Sequence, residues 1–374
     1  MDLGYCPRFD ELMANGRSRP DLIELSMCDP PRFGFIPDPD VYIPSDIDIL
    51  ESGYPSIQDA LVSGIIERTK AFTGVSENFE VIISNGCGGA FAILAIALKG
   101  MSVGIETPFY SPTYEYFRRT TDLWYVRCKP ELDWDLDVDL LREELEKRNQ
   151  SGVLFFVSPS NPTGHVHDEK TWRAVVDLAG EFNQILITDE VYDEMNFGNF
   201  KSLLPLAKDV PVIYMHGFSK VWRAPEIRVG YTLLYDPEEN AKNLYENIQS
   251  ISKLGFGVNP TSQMRAVKLL DEDMAYRRKQ FDEIQTRRDA LNKAISDSEN
   301  LTSVVAGGAT YQYIKTPWND WKVCSELLEK HNILISPGSV NDPFIGDKYV
   351  RVVFLNTINS IEYMVECLDN LYED

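Results

Sequence analysis

The chain has 374 residues, 44% hydrophobic and 25% charged, which is the composition of a globular protein long enough for roughly two packed domains. Its 36 Lys and Arg against 58 Asp and Glu leave a net charge of −22, which argues against nucleic acid or an anionic membrane surface as the main partner. No run approaches ~20 uninterrupted apolar residues, no basic-then-apolar leader opens the sequence, and Cys6, Cys28, Cys87, Cys128, Cys324 and Cys367 form no Cys-x-x-Cys pair, so the expectation is a cytoplasmic protein with reduced thiols.

Residues 1–45 hold many Pro and Asp and few periodic runs, and are expected to form an arm that packs on the smaller of two domains. Seven short apolar runs follow, at 81–84, 103–106, 124–128, 153–158, 185–189, 212–218 and 229–235. Each is rich in β-branched or aromatic residues and bounded by turn formers. Helical periodicity separates most of them, at 91–99, 140–148, 170–182 and 238–251. This alternation predicts an α/β fold, with a mostly parallel seven-stranded sheet covered by helices on both faces over 46–260. After Pro260 the pattern changes to charged helices at 261–270 and 275–295, strands at 311–315, 333–336 and 349–354, and a closing helix at 361–371. Residues 261–374 therefore read as a smaller α+β domain.

Open parallel sheets bind ligands beyond the carboxyl ends of their strands. The distinctive polar residues fall at such ends. Asn85-Gly86-Cys87-Gly88-Gly89 opens a helix, where small residues let backbone N–H groups approach a phosphate. It is neither a dinucleotide fingerprint nor a P-loop. Ser158-Pro159-Ser160-Asn161-Pro162-Thr163-Gly164 and Asp189-Glu190-Val191-Tyr192 follow two further runs. Ser219-Lys220 follows another, with Arg228-Val229-Gly230-Tyr231 just beyond. The Lys220 amine suits a Schiff base with a carbonyl cofactor, and the Arg228 fork suits its phosphate. Asp189 placed against a pyridine nitrogen keeps that nitrogen protonated; a helix cap or turn carboxylate is the alternative. Tyr110 is either a ring-stacking residue or a core aromatic. Arg351, inside the apolar run 349–354, needs an anionic partner, either a substrate carboxylate or a structural acid. Arg32 is a candidate for a second substrate carboxylate. The four histidines show no metal-ligand spacing, and His165 and His167, two apart in a loop, read as solvated; no metal site is expected.

Asn161-Pro162-Thr163-Gly164, Asp189-Glu190-Val191-Tyr192, Ser219-Lys220 with Arg228-Val229-Gly230-Tyr231, and Arg351 occur in an order that resembles the pyridoxal-phosphate (PLP) aminotransferases of fold type I, classes I and II, over roughly residues 22 to 370. The resemblance implies PLP as cofactor, amino acid and 2-oxo acid as substrates, and transfer of an amino group through a Lys220 aldimine. Lys220 then moves the proton at the substrate Cα, Asp189 pairs with the pyridine nitrogen, and Tyr192 and Asn161 contact the ring oxygen. Tyr110 stacks on the ring, and Ser219, Arg228 and the amides of Cys87 and Gly88 hold the phosphate. Arg351, helped by Asn161, binds the substrate carboxylate. Tyr54 in Gly53-Tyr54-Pro55 resembles a tyrosine that reaches the phosphate in the neighbouring subunit, which implies a homodimer. The pattern departs from the family at Gly217, where many relatives have Ser, at Cys87-Gly88-Gly89, at Cys28 and at Ala224-Pro225-Glu226. A β-elimination lyase or an amino-acid cyclase on the same scaffold is the alternative enzyme. A non-catalytic PLP-binding regulator lacks its basic DNA-binding segment here, and a nicotinamide dehydrogenase lacks its glycine fingerprint.

Overall fold

The computed structural model of the chain describes residues 7–42, 59–76, 79–198, 200–255 and 257–371. Each of the seven predicted apolar runs forms a strand of one sheet. They are β1 Glu80–Asn85, β2 Ser102–Thr107, β3 Asp122–Arg127, β4 Gly152–Val157, β5 Gln184–Asp189, β6 Val212–Gly217 and β7 Val229–Tyr235. Their order across the sheet is β1-β7-β6-β5-β4-β2-β3. Four of the pairings are parallel, and β7 runs antiparallel to both its neighbours, so the sheet is mixed. The link between β6 and β7, residues 218–228, is too short for the helical crossover that a parallel return requires.

Strands β2, β4, β6 and β7 are buried at every position, as doubly covered strands must be. The two-residue period of a strand sorts their side chains into two cores. Leu154 and Phe156 face one core with Leu141, Trp172 and Val175 of the helices Val138–Arg148 and Glu169–Glu181. Val153, Phe155 and Val157 face the other with Phe91, Leu94 and Ile248 of the helices Gly86–Ala97 and Lys242–Ser252. Side-chain caps start several helices: Asp137 accepts from Leu140 N–H, Asp168 from Thr171 N–H and Thr357 from Ser360 N–H.

A second, antiparallel sheet is built from Thr302–Ser303, Tyr311–Lys315, Tyr349–Val353 and Ser336–Pro337, with Tyr349–Val353 between Ser336–Pro337 and Tyr311–Lys315. The run expected as one strand at 333–336 divides, and its first part, Ile333–Leu334, pairs parallel with Ile23–Glu24. The N-terminal segment is thereby tied to the C-terminal part of the chain. The helices Met274–Ser296 and Ile358–Asp369 pack together here, while Pro260–Leu270 packs on the helix Asp59–Thr73.

The sheet register sets the position of the polar segments. Val157 at the end of β4 lies opposite Asp189 at the end of β5, and Asp189 lies opposite Met215 near the end of β6. The segments that follow each strand emerge side by side.

Candidate active site

At that edge lies a cavity of about 260 Å³, lined among others by Cys87, Gly88, Tyr110, Asn161, Asp189, Tyr192, Ser219, Lys220, Arg228 and Tyr311. A second cavity of about 270 Å³ shares Tyr110, Asn161, Lys220 and Tyr311 with it, and adds Arg351, Met27, Cys28 and the face of the helix Pro7–Arg17. Lys220 stands where the two adjoin. Its Nζ donates to the Cys28 carbonyl at 3.0 Å. Burial lowers the Lys220 pKa, but Cys28 and the hydroxyls of Tyr311 and Tyr110 more than offset this and leave the ammonium favoured.

In the first cavity, Asp189 Oδ1 accepts from Val191 N–H at 3.2 Å. Burial pushes the Asp189 carboxyl up to about 7, against the opposing pull of that N–H and of Lys220. A carboxylate desolvated this far gains most from a cationic ring N–H. Its neighbour Glu190 points away from the cavity, accepts from Leu203 N–H and Thr188 Oγ1, and is pushed up to about 8 by burial. Tyr192 Oη meets Tyr311 Oη at 2.9 Å, a partner that no sequence motif pointed to.

Ser219, Arg228, Cys87 and Gly88 line the other end of this cavity. Arg228 sits in a left-handed backbone conformation (φ 54°), and its Nη1 reaches Pro225 O at 3.0 Å and Ser219 Oγ at 3.5 Å. The guanidinium lies against Gly86, where a Cβ would stand 2.4 Å from Nη2 and displace it; Gly86 also has φ 68°, the backbone constraint that favours glycine. Asn85 makes no side-chain cap at the start of the helix Gly86–Ala97, which leaves the first-turn N–H groups and the positive end of the dipole facing this end of the cavity. The missing hydroxyl at Gly217 has a local counterpart. A Cβ there would lie 3.3 Å from Cys87 Sγ, which contacts the His216 carbonyl at 3.6 Å. Two of the departures from the family pattern are thus in contact, with the Cys87 thiol occupying space beside Gly217.

In the second cavity, Arg351 is buried, with Nη1 donating to Asn161 Oδ1 at 3.0 Å and Nη2 to Ser26 O at 2.8 Å, while its buried Nε has no partner among the described residues. These partners are neutral, so the charge itself is left for an anion. The structural acid weighed as an alternative is not among them. The donor set fits a phosphorylated pyridine aldehyde in the first cavity and a carboxylate in the second.

The structure therefore brings together Lys220, Asp189, Tyr192, Asn161, Tyr110, Ser219, Arg228, Cys87, Gly88 and Arg351. Tyr54 lies outside the described residues. Arg32 does not line either cavity; it is half-exposed, and its Nη1 lies 3.6 Å from Glu24 Oε2. Arg17, which the sequence did not single out, lines the second cavity beside Met27. The reading of His165 and His167 as solvated is corrected. His167 is fully buried, and His165 is largely so, because Asp135 and Glu106 surround them with hydrogen-bond acceptors. Among the described residues every cysteine is a free thiol, and no helix is long and apolar enough to cross a membrane.

Residues 48–368 match the family model described as aminotransferase class I and II. A probable aspartate aminotransferase of Methanocaldococcus jannaschii is 24% identical over 77% of this chain and 76% of its own length. The glutamate–pyruvate aminotransferase of Escherichia coli K12 is 25% identical over 76% of this chain and 72% of its own. Among solved structures, an alanine aminotransferase from Pyrococcus furiosus superposes with a TM-score of 0.88 at 27% identity, covering 98% of this chain and 96% of that one. With the family model spanning most of its length and a lysine set between a cavity bearing Arg228 and one bearing Arg351, this chain belongs to the class I and II aminotransferases, enzymes of amino-group transfer.

Proposed function

We propose that the protein is a PLP-dependent aminotransferase that moves an amino group between an amino acid and a 2-oxo acid. One observation carries this reading: Lys220 is the titratable amine shared by a cavity bearing Asp189 and Arg228 and a cavity bearing Arg351. When bound, PLP supplies an aldehyde carbon and an electron-withdrawing ring that takes up charge as the substrate Cα–H bond breaks.

The protein's own residues do the rest. Ser219, Arg228 and the N–H groups of Cys87 and Gly88 hold the phosphate. Asp189 holds a proton on the ring nitrogen, and Asn161 and Tyr192 hydrogen-bond the ring oxygen. Tyr110 covers the ring face. Arg351 and Asn161 clamp the substrate carboxylate, which fixes Cα near Lys220. The Lys220 amine would take up the substrate Cα proton and hold it at Nζ as general base, then give it back as general acid. A cytosolic homodimer, with Tyr54 reaching the phosphate of the neighbouring subunit, completes the proposal.

The relatives include aspartate, alanine and glutamate–pyruvate enzymes, so a donor panel decides among them. Purified protein with PLP, incubated with a panel of amino acids and 2-oxo acids, is expected to form a new amino acid and a new 2-oxo acid in equal amounts. Release of ammonia with pyruvate in their place contradicts transamination and selects an elimination.

A further inference from the structure

A second cluster of ligand-bearing side chains lies outside this site. His165 and His167 follow the Asn161 loop, and Asp135 comes from the turn between β3 and the helix Val138–Arg148. His165 Nε2 lies 3.2 Å from Asp135 Oδ1, and His167 Nδ1 lies 2.8 Å from the same oxygen. All three ligand atoms are within 4.8 Å of one another. Tetrahedral zinc at about 2.0–2.1 Å from each ligand sets them roughly 3.3 Å apart, close to the 3.2 Å between His165 and Asp135 and about half an ångström beyond the 2.8 Å between His167 and Asp135.

We propose that Asp135, His165 and His167 form a binding site for a divalent cation of the zinc class, with water in the fourth position. This goes beyond amino-group transfer and does not depend on it. The two histidines alone show no ligand spacing for a metal; it is the fold that delivers the third ligand.

The surroundings match what such a site needs. The other ring nitrogen of His167, Nε2, lies 2.9 Å from Glu106 Oε1, the carboxylate–histidine pairing that fixes a ligating ring's tautomer and orientation. Thr171 Oγ1 donates to Asp135 Oδ2 at 2.7 Å and so orients the carboxylate. His165 and Asp135 retain 14% and 27% exposure, which gives the ion an entry path that the 0% exposed His167 lacks. A neighbouring trio, Glu106, Cys128 and His167, is a poorer choice. It is wholly buried, Glu106 Oε2 already accepts from Val157 N–H at 2.8 Å, and burial pushes the Cys128 thiol well up, which opposes the thiolate a metal takes. The ion would fasten the loop carrying Asn161 to the 135 turn, because Ser160 N–H also bonds the His165 carbonyl at 2.8 Å.

The test uses the PLP-loaded enzyme, stripped with a chelator and dialysed against micromolar zinc, with metal content measured per chain. One zinc per chain is expected, bound at least ~10-fold more weakly in His165→Ala and Asp135→Asn and unchanged in Cys128→Ala. Cobalt in the same site is expected to give visible bands without a thiolate charge-transfer band, and His165→Cys to restore binding with that band present. No zinc retained, with only protons bridging the cluster, overturns the proposal. So does zinc retained equally by His165→Ala and Asp135→Asn, which places the ion on other thiols or on the cofactor. Circular dichroism of the metal-free variants confirms that each is folded.

Discussion

Lys220 and Arg351 divide the labour at the residue scale, and their substitutions are expected to fail differently. Lys220→Ala removes both the covalent partner and the Cα base, so single-turnover transamination is expected to fall by at least ~10³-fold. Arg351→Ala leaves that base in place and deletes the buried cation whose Nε has no partner among the described residues. Its expected signature is a KM for the amino acid raised ~10–100-fold, with a smaller change in kcat, because a charged hydrogen bond contributes about 1.5–3 kcal/mol. Equal losses in kcat and KM terms for the two variants would contradict the assignment.

Asp189 adds a pH dependence to the cofactor-free protein. Its carboxyl, raised from near 4 to about 7 by burial, keeps a proton in the folded state that the unfolded chain has released. Its contribution is fully present below pH 4 and is lost as pH rises towards 7, by roughly 2–3 kcal/mol between pH 5 and 7. Glu190, pushed up to about 8, has the same sign over a wider window. Urea unfolding of cofactor-free wild type and Asp189→Asn over that range is expected to show the wild type losing ground to the variant as pH rises. A constant gap between the two contradicts the burial of an uncompensated carboxyl.

At the scale of elements, the seven strands were legible because each is a short apolar run bounded by turn formers, and double coverage makes the run nearly continuous. The reversal of β7 was not read from its own residues, since periodicity carries no direction; only the short 218–228 link holds that information. The motif residues were legible as strand-end polar groups. Tyr311 and Arg17 were not, because a tyrosine starting an apolar strand and an arginine ending a helix look like ordinary core and cap residues. The burial of His167 was equally hidden, since its acceptors Glu106 and Asp135 lie far away in sequence.

The start of the helix Gly86–Ala97 tests how tightly elements are matched. Gly86→Ala is expected to weaken PLP binding by about 1–3 kcal/mol, through its positive φ and the displaced Arg228, with the fold retained. Gly217→Ser places its new Cβ 3.2 Å from the Val229 carbonyl oxygen and 3.3 Å from both Cys87 Sγ and Gly230 Cα. Alone it is expected to weaken PLP binding, and Cys87→Ala in the same chain to restore part of that loss by making room on the thiol side. Additive losses in the double variant, measured by cofactor titration, contradict the contact between the two positions.

Across the whole molecule, the site depends on parts of the chain that are remote in sequence. Lys220 from the large sheet bonds the Cys28 carbonyl of the N-terminal segment, and Arg351 from the small sheet bonds Asn161 beyond β4. The parallel pairing of Ile23–Glu24 with Ile333–Leu334 ties the N-terminal segment to the C-terminal part of the chain and holds the helix Pro7–Arg17 and Cys28 at the cavity. The proposed homodimer predicts a sedimentation mass near twice 42.6 kDa, and a Tyr54→Phe variant that stays dimeric while binding PLP more weakly.

The central claim is a covalent bond between one amine and a cofactor aldehyde. Borohydride reduction of the PLP-loaded protein, followed by peptide mapping, tests it most directly. A single phosphopyridoxyl group on the peptide carrying Lys220, absent in Lys220→Ala, is the predicted result; an unlabelled Lys220 peptide, or label spread over other lysines, would contradict it.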